Sequence, residues 1–199
     1  MSLREQAGQA FSETARVFVA LPLDQRSVEQ TESIQTGVAA RAARQGVRLR
    51  LTPKHQFHVT LAFLGEIATR RVPDVLDAMS EFSTAAVTFR LRVSGLVVFP
   101  SARRARVVGL GLEDSSGSLA DAVKHLHAKL RSDGFSLEAR AFRPHLTLGR
   151  LRNPAPVEWS GLAGSPLDVD YSCNSVAIYQ SELGTNGARY RILHTLALG

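Results

Sequence analysis

The pattern His-x-Thr-Leu occurs twice, at His58 and at His145, 87 residues apart in a chain of 199 residues with only six histidines. Both copies lie in alternating apolar stretches, FHVTLAFLG from Phe57 and RPHLTLGR from Arg143, and both read as β-strands. Residues i and i+2 of a strand share a face. His58 therefore stands beside Thr60, and His145 beside Thr147, with Leu61 and Leu148 turned toward a core. If the two strands face one another, two imidazoles and two hydroxyls converge on one small volume. A single histidine in a strand is ordinarily structural. Two copies built from scarce residues point to a shared site.

Two histidines across a phosphorus centre make a complete acid–base system. One neutral imidazole takes a proton from the attacking oxygen, and one imidazolium gives a proton to the leaving oxygen. An unperturbed pKa of about 6.5 suits histidine to both tasks. The threonine hydroxyls can hydrogen-bond the non-bridging oxygens as charge builds on them. This chemistry needs no metal, and no set of His, Asp and Glu has convincing metal-ligand spacing. His125 and His127 stand at i and i+2 of an expected helix, do not face one another, and read as surface residues. His55 reads as a loop residue, and His194 carries no motif. The chain has no P-loop, no GxGxxG and no GxSxG.

The elements around the motifs follow from pattern and punctuation. ARVFVALPL, from Ala15 to Leu23, reads as a buried strand ended by Pro22. Asp24 caps a helix running to about Gln45, with Gly46 as its stop. Val47 to Leu51 alternates as a short strand. Thr69 caps a helix over Val72 to Phe82, with Pro73 in its first turn. Val87 to Phe99 is one long strand or two, bending at Gly95, and Arg106 to Leu112 follows after the loop PSARRA. Asp114 to Arg131 forms an amphipathic helix with Leu119, Val123, Leu126 and Leu130 on one face, stopped by Gly134. Ser175 to Leu183 and Ala188 to Leu198 close the chain as a hairpin around GTNG. This order is not regular βαβ alternation. It predicts an α+β fold of mostly antiparallel sheet, in two pseudo-symmetric lobes that each hold a long helix and one motif strand around a central cleft. Residues 1–14 read as a flexible N-terminal segment and 15–199 as a single bilobal domain.

Composition narrows the setting. Hydrophobic content of 44% and charged content of 21% are ordinary for a globular protein. Cys173 is the only cysteine, which excludes an intrachain disulfide and suits a cytoplasmic location. No apolar run reaches the roughly 20 residues of a membrane span. The net charge is +6 and only three of the 24 basic residues are lysine. Arginine grips phosphate with two parallel hydrogen bonds, so a phosphate-bearing partner is one reading of that bias; GC-rich codon usage is the other. Arg103, Arg104 and Arg106, in and beside PSARRA, are either contacts to an RNA backbone or a solvated turn.

FHVTLAFLGE and RPHLTLGR resemble the two signature motifs of the 2H phosphoesterase superfamily. With RVFVALPL, FP…RARVVGLGL and IYQSEL…ARYRIL, they resemble more closely its RNA 2′,3′-cyclic phosphodiesterases, the ThpR/LigT family once described as 2′-5′ RNA ligases. The similarity runs from about Arg16 to Leu198. It implies two α+β lobes around a basic cleft and hydrolysis of RNA 2′,3′-cyclic phosphate ends, such as those of tRNA fragments, to 2′-phosphomonoesters. It also implies a monomer without a cofactor, with 2′-5′ ligation as the reverse reaction. In that scheme His58 donates a proton to O3′, His145 activates water, and Thr60 and Thr147 hold the phosphate. Arg150, which stands where relatives often carry an arginine, is a third phosphate contact in that scheme, although a regular strand would turn it away from His145. Relatives commonly have a tryptophan where this chain has Gly109. Phe57 and Tyr179 are the candidates to replace it as RNA base contacts. Two other readings stand beside this one. The first is a 2H enzyme for a small cyclic nucleotide or ADP-ribose cyclic phosphate. The second is a non-catalytic RNA- or nucleotide-binding module, for which two intact histidines are not needed.

Overall fold

The structure is a computed structural model and describes residues 13–85, 88–139, 141–156, 168–184 and 187–199. Most of the expected flexible N-terminal segment and the centre of the GTNG turn lie outside the described residues. In chain order the elements are β1 (Thr14–Pro22), α1 (Gln25–Arg44), β2 (Leu49–Leu51), β3 (His58–Ala68), α2 (Val72–Ala85), β4 (Phe89–Phe99), β5 (Ala105–Glu113), α3 (Ser118–Ser132), β6 (His145–Ala155), β7 (Asp170–Cys173), β8 (Ser175–Gly184) and β9 (Gly187–Ala197). No helix among them is long and apolar enough to cross a membrane.

The strands form one sheet in the order β7-β4-β5-β6-β3-β1-β8-β9, with β2 also on β6. Every neighbouring pair is antiparallel. α1 packs against β2, β6 and β7, while α2 and α3 pack on each other and on strands of the β3–β1–β8–β9 half. The two halves of the sheet are the two lobes. They are not successive halves of the sequence, because β8 and β9 return from the end of the chain to join β1. One face of the sheet, carrying Val17, Val19, Val59, Leu61, Leu146, Leu148 and Ile178, is sealed into a single core. The opposite face carries the histidines.

Local sequence accounts for most boundaries. The Asp24 carboxylate accepts the Ser27 N–H at 2.7 Å and caps α1, and Gly46 takes φ +74° beyond its end. β4 is one strand, with an irregularity between Val93 and Gly95 where Gly95 takes φ +131°. Two expectations shift. A 3-10 turn over Thr69–Arg71 leads directly into α2, so Thr69 opens that turn rather than capping the helix. α3 begins at Ser118, later than Asp114, but the Asp114 carboxylate accepts the Leu119 N–H at 2.8 Å and so satisfies its first turn. The strand β7 has no counterpart in the expected elements. His125 is exposed, as expected, whereas His127 is half-buried and donates its Nε2–H to the Leu61 carbonyl at 2.8 Å, tying α3 to β3.

The buried face of α1 is polar for much of its length: Ser27, Thr31, Gln35, then Val38 and Ala42. Two of these polar side chains tie the helix to the sheet. The Thr31 hydroxyl shares a hydrogen bond of 2.8 Å with Tyr171 on β7. Gln35 donates to the carbonyls of Leu148, at 2.7 Å, and Thr52, at 2.9 Å. Leu148 needs this partner because β6 bulges there. Against β5, Gly149 opposes Val108 but Thr147 already opposes Gly109, which leaves Leu148 outside the ladder. Its carbonyl accepts from Gln35 and from the Thr52 N–H at 2.9 Å. Gln35→Ala would remove the side-chain donor to the part-buried Thr52 carbonyl and one of the two donors to the buried Leu148 carbonyl. It should lower stability by about 1–3 kcal/mol, read from the urea midpoint. An unshifted midpoint would mean that water or another donor already serves those carbonyls.

Candidate active site

His58 and His145 are each the first residue of their strand. β3 and β6 meet at one ladder pair, Val59 opposite Leu146. That register sets His58 across from Thr147 and Thr60 across from His145. The two histidines are then diagonal neighbours, about 7–8 Å apart at the backbone in a regular antiparallel pair. All four side chains flank a core pair, stand on the opposite face from it, and are half-buried. The structure thus brings together all four residues of the repeated motif.

Both imidazoles are held the same way. His58 Nδ1 lies 2.7 Å from the Gln56 carbonyl, and His145 Nδ1 lies 2.8 Å from the Arg143 carbonyl. A carbonyl only accepts, so each Nδ1 carries a hydrogen, and among the described residues no hydrogen bond occupies either Nε2, which can take or give a proton. In both cases the acceptor belongs to the residue two positions earlier, the last stretch of chain before the strand begins.

The walls differ. Phe18 of β1, Tyr179 of β8 and Tyr190 of β9 surround His58, with ring centroids 4.9, 5.5 and 5.3 Å from the imidazole. Phe99, at the end of β4, lies 4.8 Å from His145. Burial beside these rings is the main reason that His58 is pushed down to a pKa of about 4. The hydrogen bond to Gln56 opposes that fall, and the charges of His145 and Arg150 add to it. An unliganded His58 is therefore neutral at pH 7.

Arg150 reaches the cleft because of the bulge. A regular strand would set it opposite to His145, but the extra residue at Leu148 resets the alternation. Leu148 and Leu151 both enter the core, and Arg150 between them emerges on the histidine face, opposite Val107. Its electrostatic action on His58 reports that closeness. The other expected contacts fare differently. Phe57 is 5% exposed and belongs to the main core, one residue out of phase with His58, so it presents no surface to RNA. Tyr179 is 6% exposed and stacked on Phe18 at 4.9 Å, which makes it a wall of the His58 niche rather than a platform for a base. Arg103 and Arg104 form an exposed 3-10 turn between β4 and β5. Gly109 opposes Thr147, and a β-carbon there would lie 2.6 Å from the Leu146 carbonyl oxygen. The close approach of β5 to β6 leaves no room for a tryptophan.

Sequence reasoning missed Phe18, Tyr190, Phe99 and Gln35. Phe18 was within reach: in RVFVALPL it alternates with Val17 and Val19, which predicts that it faces away from the core. Phe99, Tyr190 and Gln35 carry no such signal, since each acts through a distant strand.

The LigT like phosphoesterase family matches this chain twice, over residues 21–109 and again over 110–190, so each match holds one His-x-Thr motif. An RNA 2′,3′-cyclic phosphodiesterase of Aeropyrum pernix is 30% identical over 156 residues, covering 76% of this chain and 88% of the relative. One from Thermotoga maritima is 27% identical over 184 residues, covering 90% and 93%. A crystal structure of a Thermus thermophilus protein superposes with a TM-score of 0.78 at 25% identity, covering 92% of this chain and 97% of the other. Escherichia coli LigT complexed with 3′-AMP shares the fold, with a TM-score of 0.68 at 23% identity over 94% and 99% of the two chains. With both motifs on adjoining strands and the family matching across both halves, the chain belongs to the LigT like phosphoesterases of the 2H superfamily.

Proposed function

We propose that this protein hydrolyses RNA 2′,3′-cyclic phosphate ends to 2′-phosphomonoesters. The observation that carries the reading is the diagonal histidine pair with both Nε2 atoms free, interleaved with two threonines. The relatives named RNA 2′,3′-cyclic phosphodiesterase supply the substrate. A cyclic phosphate seated among the four side chains would meet Thr60 and Thr147 through its non-bridging oxygens, with the Arg150 charge nearby. His145 takes a proton from water as the water oxygen bonds to phosphorus. The P–O3′ bond breaks, and His58 protonates O3′. Acid and base stand at opposite corners of the quartet, as in-line displacement requires. The chemistry needs no cofactor, and among the described residues no three His, Cys, Asp or Glu side chains gather to hold a metal ion. Arg103 and Arg104 are proposed as contacts to the RNA backbone. A monomer in the cytoplasm, with residues 15–199 as one domain, completes the reading; Cys173, the lone cysteine, is free and buried. Ligation through a 2′-5′ bond is the same chemistry with an RNA 5′-hydroxyl in place of water, and the abundance of water favours hydrolysis.

One observation favours a second assignment of roles. The surroundings of His58 hold it neutral at pH 7, which suits a base. In the first assignment the phosphate anion must charge His58 as it binds; in the second His58 activates water and His145 is the acid. The shift has a sign in stability as well. A histidine whose folded pKa lies below its unfolded value contributes fully above about pH 6.5, and that contribution is lost as pH falls toward about 4.

Product analysis with an oligonucleotide ending in 2′,3′-cyclic phosphate, beside a small cyclic nucleotide, tests the activity. Turnover of the oligonucleotide to a 2′-phosphate, undiminished by EDTA, is the expected result. Loss on chelation with recovery on adding a divalent ion would overturn the mechanism. Preference for the small nucleotide would favour the alternative substrate class, and no turnover of either would leave a binding module. His58→Ala and His145→Ala should each slow turnover by about 10²–10⁴-fold. On a phosphodiester whose leaving group departs without a proton, only the base should remain essential. If His145→Ala is the costly variant there, His58 is the acid; if His58→Ala is, the roles are swapped.

NMR titration of the histidine ring nitrogens checks the electrostatics. In the free protein His58 should stay neutral down to about pH 4. Saturating inorganic phosphate should raise its midpoint, because an anion favours the imidazolium. A free-state midpoint near 6.5 would show that the aromatic wall does not desolvate the ring.

A further inference from the structure

Arg50 takes no part in the chemistry above, yet β2 sets it directly opposite Arg150. The β2–β6 register pairs Leu49 with Leu151, Arg50 with Arg150 and Leu51 with Gly149. Leu49 and Leu151 pack into the core, so the two arginines between them share the histidine face. Both are exposed. Directly opposed side chains in an antiparallel pair stand about 4.5–5.5 Å apart at Cβ, and like charges in that position destabilise the sheet. Other arginines of this protein have carboxylate partners: Arg71 pairs with Asp74, and Arg92 with Asp168 and Asp170. Among the described residues neither Arg50 nor Arg150 has a carboxylate partner. The pair is a cationic fork, with Arg150 turned to this face by the bulge and the bulge braced by Gln35.

Its position says which anion. β2 and β3 lie in line along one edge of β6, β3 opposite Leu146 and β2 opposite residues 149–151. Arg50 therefore follows His58 along that edge. Arg150 lies directly across from Arg50 on the same face. On the side of His58 toward β1 and β8 the wall is aromatic instead, formed by Phe18 and Tyr179. A chain with one phosphate in the quartet and another along the β2 edge would place the second between two guanidiniums, each able to grip it with parallel hydrogen bonds.

We infer that Arg50 and Arg150 form a second phosphate subsite, which holds the phosphodiester next to the reacting end of a single-stranded RNA. This rests on the proposed reading of the quartet. It gives the protein a physical reason to prefer an oligonucleotide over a lone cyclic nucleotide, which has no second phosphate to offer.

The test compares a nucleoside 2′,3′-cyclic monophosphate with a dinucleotide ending in 2′,3′-cyclic phosphate, using wild type, Arg50→Gln and Arg50→Lys. Arg50→Gln should cut the dinucleotide-over-mononucleotide preference in kcat/KM by roughly tenfold, mostly through KM. It should also lower the slope of log KM against log salt for the dinucleotide by about 0.7, the value for one fewer neutralised phosphate on a single strand. Arg50→Lys keeps the charge and should keep the slope while giving up part of the preference. Equal losses on both substrates, or an unchanged preference, would overturn the subsite while leaving the proposed activity intact. If wild type turns over neither substrate, the activity reading fails. The subsite is then tested by fluorescence-anisotropy binding of a 3′-phosphorylated tetranucleotide: a lower salt slope in Arg50→Gln supports it, and an unchanged slope overturns it.

Discussion

β3 and β6 touch through one pair of core residues, Val59 opposite Leu146, and the whole cleft depends on that contact. On the buried side it joins the two halves of the sheet through valine and leucine, both fully sealed from water. On the other side it fixes the four polar residues that flank it. A slip of one residue by either strand would send that strand's histidine into the core and an apolar side chain into the cleft, because strand side chains alternate with period two. The core penalty for that slip makes the register stable. The same apolar pairing that stabilises the fold thus sets the diagonal placement of the imidazoles.

The bulge beside this contact is a second constraint of the same kind. Extra residues in a strand leave backbone groups without partners, and a buried carbonyl left unpaired is costly. Here a helix with an unusually polar inner face meets that need, with Gln35 reaching both Leu148 and Thr52. The consequence appears on the far side of the sheet, where Arg150 rejoins the histidine face and opposes Arg50. Positive charge is thereby concentrated where an anion would bind, and part of its effect is visible in the depressed basicity of His58. An anion bound beside these charges would favour the imidazolium form of His58.

The rings that enclose the histidines show how far local pattern carries. Phe57 and Phe18 both stand near His58 in space, yet one belongs to the core and the other to the cleft wall. For Phe57 the parity of its own strand decided the matter: it precedes His58 by one residue and must point the other way. For Tyr179 parity put the ring on the cleft side, but burial against Phe18 removed it as an RNA surface. Burial also pushes its phenol up to about 12, so it stays protonated.

The sequence by itself determined which residues carry the chemistry and which strands bear them. A repeated His-x-Thr in scarce residues is a covalent fact, and strand alternation is enough to put each histidine beside its threonine. It also determined α1, with its Asp24 cap, and the antiparallel character of the whole, because caps and short-period alternation are local. Only the tertiary structure decided that β8 and β9 complete the first motif's lobe, that Gly109 marks a close approach rather than a lost tryptophan, and that Arg150 faces the histidines. Each of these depends on residues far apart in the chain. A bulge on β6 is visible only against β5, a missing side chain has meaning only against the carbonyl it would strike, and opposed arginines are opposed only once two strands are in register.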